Sequence, residues 1–267
     1  MSERKIAIIG TRGAGKTVFI TTLAKYLSKP RNGIFLNPES YEVAEYVELN
    51  WAILNRSEWI PSTNVEQMLN WKFCTPGNIS QLRLLDYNGE DFHRLFTKKE
   101  FLNTTSSKDQ ELLDYLRDSQ IISLLINLQD FLDESLEEDR IKLKLQRQIA
   151  LKEFLTEIRK DKKRDIAVVF TAYNQYKETI EKRYGNQKEF FQQELPFVYY
   201  EHFVKEHILG FPVSAVAQTV INEENNRVPA QGFLSEGLDN IIKWIINPEK
   251  YTQAYFNRKQ ENNNVRK

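Results

Sequence analysis

The stretch that most constrains this chain is Gly10-Thr11-Arg12-Gly13-Ala14-Gly15-Lys16-Thr17, which has the spacing G-x-x-x-x-G-K-[ST]. Glycines at these intervals let a backbone turn tightly and aim its N–H groups at phosphate oxygens. Lys16 adds a point charge, and the Thr17 hydroxyl is placed to ligate a divalent cation. The flanks suit that chemistry. Lys5 to Ile9 is a short β-branched run, and Val18 to Leu27 is helical in composition, with apolar residues at Val18, Leu23 and Leu27. A loop between a strand and the N-terminus of a helix commits the chain to an α/β fold.

Composition removes several alternatives. With 37 lysine plus arginine residues against 37 aspartate plus glutamate, no bulk positive field points to nucleic acid. One cysteine, Cys74, excludes an internal disulfide framework, and the three scattered histidines do not complete a zinc site with it. The apolar start runs straight into the glycine loop, so neither a signal peptide nor a membrane span is expected, and a cytoplasmic protein is.

Along the chain, Asn37-Pro38 reads as an N-cap and first helical residue, opening a helix with Val43, Val47, Trp51 and Leu54 on one face. This helical insertion spans about residues 34–58. Gln67–Cys74 and Ser80–Asp86 read as strands joined by the Thr75-Pro76-Gly77-Asn78 turn, an antiparallel hairpin that delivers Asp86 to a strand end. Phe92 to Lys108 reads as a mobile segment leading to a helix at Glu111–Arg117. Ile121–Ile126 is a continuous apolar run typical of a central parallel strand. Ser135-x-x-Glu138 reads as a capping box for a long helix carrying Ile141, Leu145, Ile149, Leu155 and Ile158 on one face. A strand at Ile166–Phe170 ends in Thr171-Ala172-Tyr173-Asn174. Helices then fill Gln175 to Lys205 with a break at Pro196, and a strand at Ile208–Val213 runs into Ser214-Ala215. A closing helix capped near Ser235 carries Leu238, Ile241, Ile242 and Ile245, and the polar tail from residue 249 is expected to fray. The sum is one α/β domain over residues 1–248, with a mostly parallel sheet and one antiparallel strand.

In this order the motifs resemble the Ras-like GTPase fold of the P-loop NTPases, a three-layer sandwich, in the translation-factor-related class where an antiparallel strand precedes D-x-x-G. Gly10 to Thr17 is similar to the phosphate loop, Asp86-Tyr87-Asn88-Gly89 to D-x-x-G, and Ser214-Ala215 to the S-A motif whose backbone contacts guanine O6. The insertion and the Asp86-Tyr87-Asn88-Gly89-Glu90 wording look most like divergent bacterial GTPases of the double-GTPase type, associated with multi-gene conflict or signalling systems. The resemblance implies GTP or GDP as ligand, a Mg²⁺ ion held by Thr17, Thr63 and Asp86, and catalysis by Lys16, Gly89 and Glu90. Ser62 and Thr75 are alternatives to Thr63. It further implies slow hydrolysis of the β–γ phosphoanhydride, and a protein partner met through the loops at Thr63 and Glu90–Lys108. Arg12 stands where many relatives carry glycine and has three readings: a charge-neutralising arginine in cis, an obstacle to the attacking water, or a solvated side chain.

The base end departs from the pattern. Where relatives carry [NT]-K-x-D, this chain has Thr171-Ala172-Tyr173-Asn174, which loses the lysine stem and replaces a carboxylate with an amide. Guanine selectivity is therefore expected to be shallow and xanthine relatively favoured, with Tyr173 either stacking on a base or packing on the protein. Two other functions compete with a GTP switch: a scaffold of the same fold with little hydrolysis, and a P-loop ATPase or phosphotransferase, disfavoured because no arginine-rich lid follows the central strands.

Overall fold

The computed structural model describes residues 4–10, 13–61, 67–86, 96, 107–132, 137–160, 164–205 and 207–264. The strands are β1 (Lys5–Gly10), β2 (Phe35–Pro38), β3 (Gln67–Thr75), β4 (Asn78–Asp86), β5 (Ile121–Asn127), β6 (Asp165–Thr171) and β7 (Leu209–Pro212), with β8 (Thr219–Ile221) and β9 (Arg227–Pro229) as a separate two-stranded ribbon. The main helices are α1 (Lys16–Tyr26), α2 (Tyr41–Asn55), α3 (Ser107–Asp118), α4 (Glu137–Arg159), α5 (Tyr173–Tyr184), α6 (Gln187–Glu194), α7 (Leu238–Ile246) and α8 (Pro248–Asn264), with short helical turns at Gln129–Leu132 and Pro196–Val198 and a π-helical segment at Tyr199–Val204.

The main sheet has seven strands in the order β2-β3-β4-β1-β5-β6-β7. Only β3 is reversed. It pairs antiparallel with both β2 and β4, while β4, β1, β5, β6 and β7 run parallel. Strand alternation sends Ile6, Ile8, Leu125 and Val169 into a core with α1, α2 and α7, and sends Ala7, Ile9, Leu124 and Val168 into a second core with α3, α4 and α6. Two apolar faces need two covers, which is why β1, β5 and β6 read as unbroken hydrophobic runs and why the domain has three layers.

Several local expectations are corrected. Asn37-Pro38 does not open a helix. It ends β2, where Asn37 pairs with Lys72 and Pro38 with Trp71, an edge position that tolerates proline's missing N–H. The cap of α2 is Ser40, whose Oγ accepts from the Val43 N–H at 3.4 Å, so the 34–58 insertion is a strand plus a helix. In α4, Ile141 is 73% exposed and Leu145 is also exposed, whereas Leu151, Phe154, Leu155 and Ile158 are buried. Ile141 and Leu155 lie about four turns apart on nearly the same stripe, so position along the axis separates them, not helix face. Ser235 does not cap α7. That place belongs to Gly237, at φ +82°, while the Ser235 Oγ donates to the Ala215 carbonyl at 2.6 Å. Ser135 and the segment 97–106 lie outside the described residues, although Phe96 within the 92–108 stretch is fully buried.

The polar tail is also helical. Asn247 Oδ1 accepts from the Lys250 N–H at 3.2 Å, Pro248 occupies the first helical position, and Tyr251 sets its ring 5.7 Å from that of Phe211. Tyr251→Ala is expected to destabilise the domain by about 1–3 kcal/mol, because it uncovers part of the β7 side of the core. An unchanged urea midpoint would show that α8 contributes no packing.

Candidate functional site

The carboxyl ends of β1, β5 and β6 meet at the glycine loop. Gly10 is needed by close approach, since a Cβ there would stand 2.7 Å from the Leu125 carbonyl oxygen of the neighbouring strand. Gly13 and Gly15 are needed by conformation, at φ +70° and +75°, and a Cβ built on either meets nothing within 4 Å. Gly15 is the N-cap of α1 and, as glycine, has no side chain with which to cap it. The first turn of a helix and the positive end of its dipole suit an anion, and here they follow directly on the glycine loop.

Two carbonyls of the loop are held from below. Asn127 Nδ2 donates to the Gly13 oxygen at 3.0 Å, and Thr171 Oγ1 donates to the Ala14 oxygen at 3.1 Å. Lys16 is only 8% exposed, and its Nζ donates to the Gly10 oxygen at 3.2 Å, laying the charge across the loop. Thr17 follows in the first turn of α1, half-buried. Asp86 closes β4 opposite Gln67, and its backbone therefore lies at the strand end where a metal-side acid was expected. Thr11, Arg12, Ser62, Thr63, Gly89 and Glu90 lie outside the described residues.

The base end is built from the β6–α5 junction and the loop after β7. Ala172 takes a left-handed conformation at φ 58° and caps α5 without a side-chain bond, while Tyr173 packs against the α3–α4 core. Tyr173 is thereby engaged in packing. Burial pushes its phenol above the ordinary range, with the Glu181 charge adding to the effect. Ser214, 2% exposed, accepts the Asn174 backbone N–H on its Oγ at 2.8 Å and exchanges backbone hydrogen bonds with Glu236. Because the Ser214 carbonyl is directed at Glu236, the trans peptide turns the Ala215 N–H the opposite way. The Asn174 Nδ2 donates to the Ala217 carbonyl, leaving Oδ1 buried and without a hydrogen-bond partner.

The hydroxyls of Thr171 and Ser214 are thus hydrogen-bonded within the protein. Sequence reasoning missed Asn127, although it ends an apolar strand just as Asp86 does, and the same rule would have found it. It also missed the contact of Trp59 Nε1, which donates to the Arg227 carbonyl at 2.7 Å, and the cluster of Leu54, Val216 and Phe233 with Val18, Trp51 and Ile60 packed on it. No local pattern announces contacts between residues so far apart in the chain.

The family described as Double-GTPase 1 matches residues 7–254, nearly the whole chain. The chain belongs to the Double-GTPase 1 family. No curated protein sequence matches it. Among solved structures, the G domain of the Thermotoga maritima FeoB iron transporter is similar over 94% of this chain and 99% of its own, at 15% identity and a TM-score of 0.43. The cytosolic domain of the same transporter in apo form matches over 94% and 65%, at 14% identity and 0.45. Methanosarcina barkeri Roco2, bound to GDP, matches over 95% and 50%, at 12% identity and 0.40. Membership in Double-GTPase 1 supports guanine nucleotide as the ligand of the loop. Among the described residues, no helix of this Double-GTPase 1 protein is long and apolar enough to cross a membrane.

Proposed function

We propose that this chain is a nucleotide-dependent molecular switch that binds GTP with Mg²⁺ and hydrolyses it slowly, as a cytoplasmic part of a multi-protein bacterial signalling or conflict system. The observation that carries the reading is the glycine loop leading into α1, with Gly13 and Gly15 at positive φ, the Gly13 and Ala14 carbonyls tied back and Lys16 laid over the loop. Such a site offers fixed N–H donors and one cation where negative charge accumulates, and positioning with charge neutralisation is most of what phosphoryl transfer to water requires.

The residues also fit a metal ion. Thr17 supplies a hydroxyl at the start of α1, and Asp86 ends the strand beside β1, a hard oxygen pair suited to Mg²⁺ that leaves further positions to nucleotide oxygens and water. Thr63 is proposed as a third ligand. Mg²⁺, when bound, draws off charge from the phosphate oxygens as the β–γ bond breaks. The Gly89 N–H is proposed to contact the γ-phosphate and Glu90 to orient the attacking water. A glutamate there brings negative charge toward phosphate, and this underlies the expectation of slow turnover. Loops at Thr63 and Glu90–Lys108, ordered by the γ-phosphate, would present the surface a protein partner reads.

A calorimetric panel of GTP, GDP, XTP and ATP, with and without Mg²⁺, tests this reading together with phosphate release from GTP. Tight GTP binding with release far slower than binding supports a switch. Binding with no release at all would make the protein a scaffold of the same fold, and preference for ATP would overturn the reading. Thr17→Ala and Asp86→Ala should each remove most of the Mg²⁺ dependence of GTP binding. If EDTA weakens binding in both variants as strongly as in the wild type, the metal lies elsewhere.

A further inference from the structure

We propose that Asn127 is a positioning residue that sets the Gly13–Ala14 peptide so that its N–H faces a nucleotide β-phosphate. The inference rests on reading the glycine loop as a nucleotide site. Asn127 is the last residue of β5 and the register partner of Thr171, the last residue of β6. The two side chains take consecutive carbonyls of the loop, Gly13 and Ala14. In a trans peptide the carbonyl of one residue and the N–H of the next point in opposite directions. Tying back the Gly13 oxygen therefore turns the Ala14 N–H toward the mouth of the loop, and tying back the Ala14 oxygen does the same for the Gly15 N–H. Two adjacent donors aimed by two strand ends make a concave cradle for an anion.

The amide of Asn127 has no freedom to serve otherwise. Its Oδ1 accepts the Gln129 N–H at 3.0 Å, at the start of the short helical turn Gln129–Leu132. That contact requires the oxygen on the Gln129 side, so Nδ2 must face Gly13, and an inverted amide would set acceptor against acceptor at Gly13 and donor against donor at Gln129. Gly13, at φ +70° and with no described atom within 4 Å of an added Cβ, has no side chain to fix which way its peptide faces. A loop of glycines visits many orientations, and an outside donor that selects one removes an entropic cost from ligand binding.

The test compares Asn127→Ala and Asn127→Asp with wild type. Affinities for GDP and for guanosine are measured by competition against a fluorescent GDP, alongside the melting temperature of the unliganded protein. Asn127→Ala should lower GDP affinity roughly tenfold to a hundredfold while leaving guanosine affinity unchanged. Asn127→Asp keeps the shape and the Gln129 contact but sets an oxygen against the Gly13 oxygen, so it should lose at least as much GDP affinity. A purely structural role would lower the melting temperature and weaken GDP and guanosine by the same factor, which would overturn the proposal. GDP affinity within about twofold of wild type in Asn127→Ala would overturn it as well. If the wild type binds no GDP, the nucleotide-site reading itself falls and this inference falls with it.

Discussion

Lys16→Ala is expected to weaken GTP binding by roughly two orders of magnitude, the scale of losing a charge-assisted contact in a site that offers it no substitute. The structure adds a control to that experiment. The lysine is largely buried and its Nζ donates to the Gly10 oxygen, so alanine removes packing and a loop contact as well as a charge. Lys16→Met keeps the stem and deletes only the ammonium. Both variants should lose GTP affinity by a similar factor, with Lys16→Met retaining more of the wild-type melting temperature. If Lys16→Met binds GTP as wild type does by calorimetry, the ammonium does not reach phosphate and the loop's assignment is wrong. Guanosine, which carries no phosphate, should bind all three proteins alike.

The sheet was legible in the sequence because its signals are local. An unbroken apolar run such as Ile121–Ile126 can be satisfied only by cover on both faces, and a Pro-Gly pair between two alternating runs closes a hairpin with little ambiguity. The phosphate loop was legible because its chemistry fixes residue types at fixed intervals. Where two local signals competed, the reading failed. Asn37-Pro38 suits a helix start and an edge strand equally, and the pairing of β2 with β3 decided for the strand. Ile141 and Leu145 match the helical period, yet burial depends on what lies opposite, which periodicity does not contain. The tail shows the same effect in reverse. Its polar composition concealed Tyr251 and Phe256, two aromatics that suffice to dock a helix on Phe211 and its neighbours. Contacts such as that of Trp59 with Arg227 come from the fold alone and leave no trace in either segment.

The base end gives the second large prediction. An asparagine in place of aspartate was expected to favour xanthine by turning its NH₂ to the base. One N–H of that amide is given to the Ala217 carbonyl, and the orientation is not interchangeable, because a flipped amide would bring oxygen against oxygen. What remains is Oδ1, an acceptor lacking a partner and closed off from solvent in the unliganded protein, so a base N–H meets it only when the residues around it move aside. Guanine and hypoxanthine both carry N1–H and can supply one. Adenine carries a bare N1 there and would add acceptor to acceptor. Xanthine has the N1–H but presents a second oxygen where guanine has its amine, so it sets an acceptor toward the Oδ1 side of the amide. One neutral oxygen also gains less from the guanine 2-amino group than a carboxylate with two would. The expected order of affinity is therefore GTP and ITP within about threefold of each other, XTP weaker, and ATP weaker than GTP by roughly one to two orders of magnitude. Asn174→Ala should reduce GTP affinity and flatten the GTP-to-ATP ratio, while leaving the loop's hold on phosphate intact. Asn174→Asp sets a carboxylate oxygen against the Ala217 carbonyl, so its gain in guanine preference should fall short of a full charge-assisted pair, even when Ala172→Lys restores a stem beside it. A wild-type protein that separates GTP from ITP by more than about tenfold would show that another group reads the 2-amino position. Equal binding of ATP and GTP would show that the Asn174 oxygen does not meet the base.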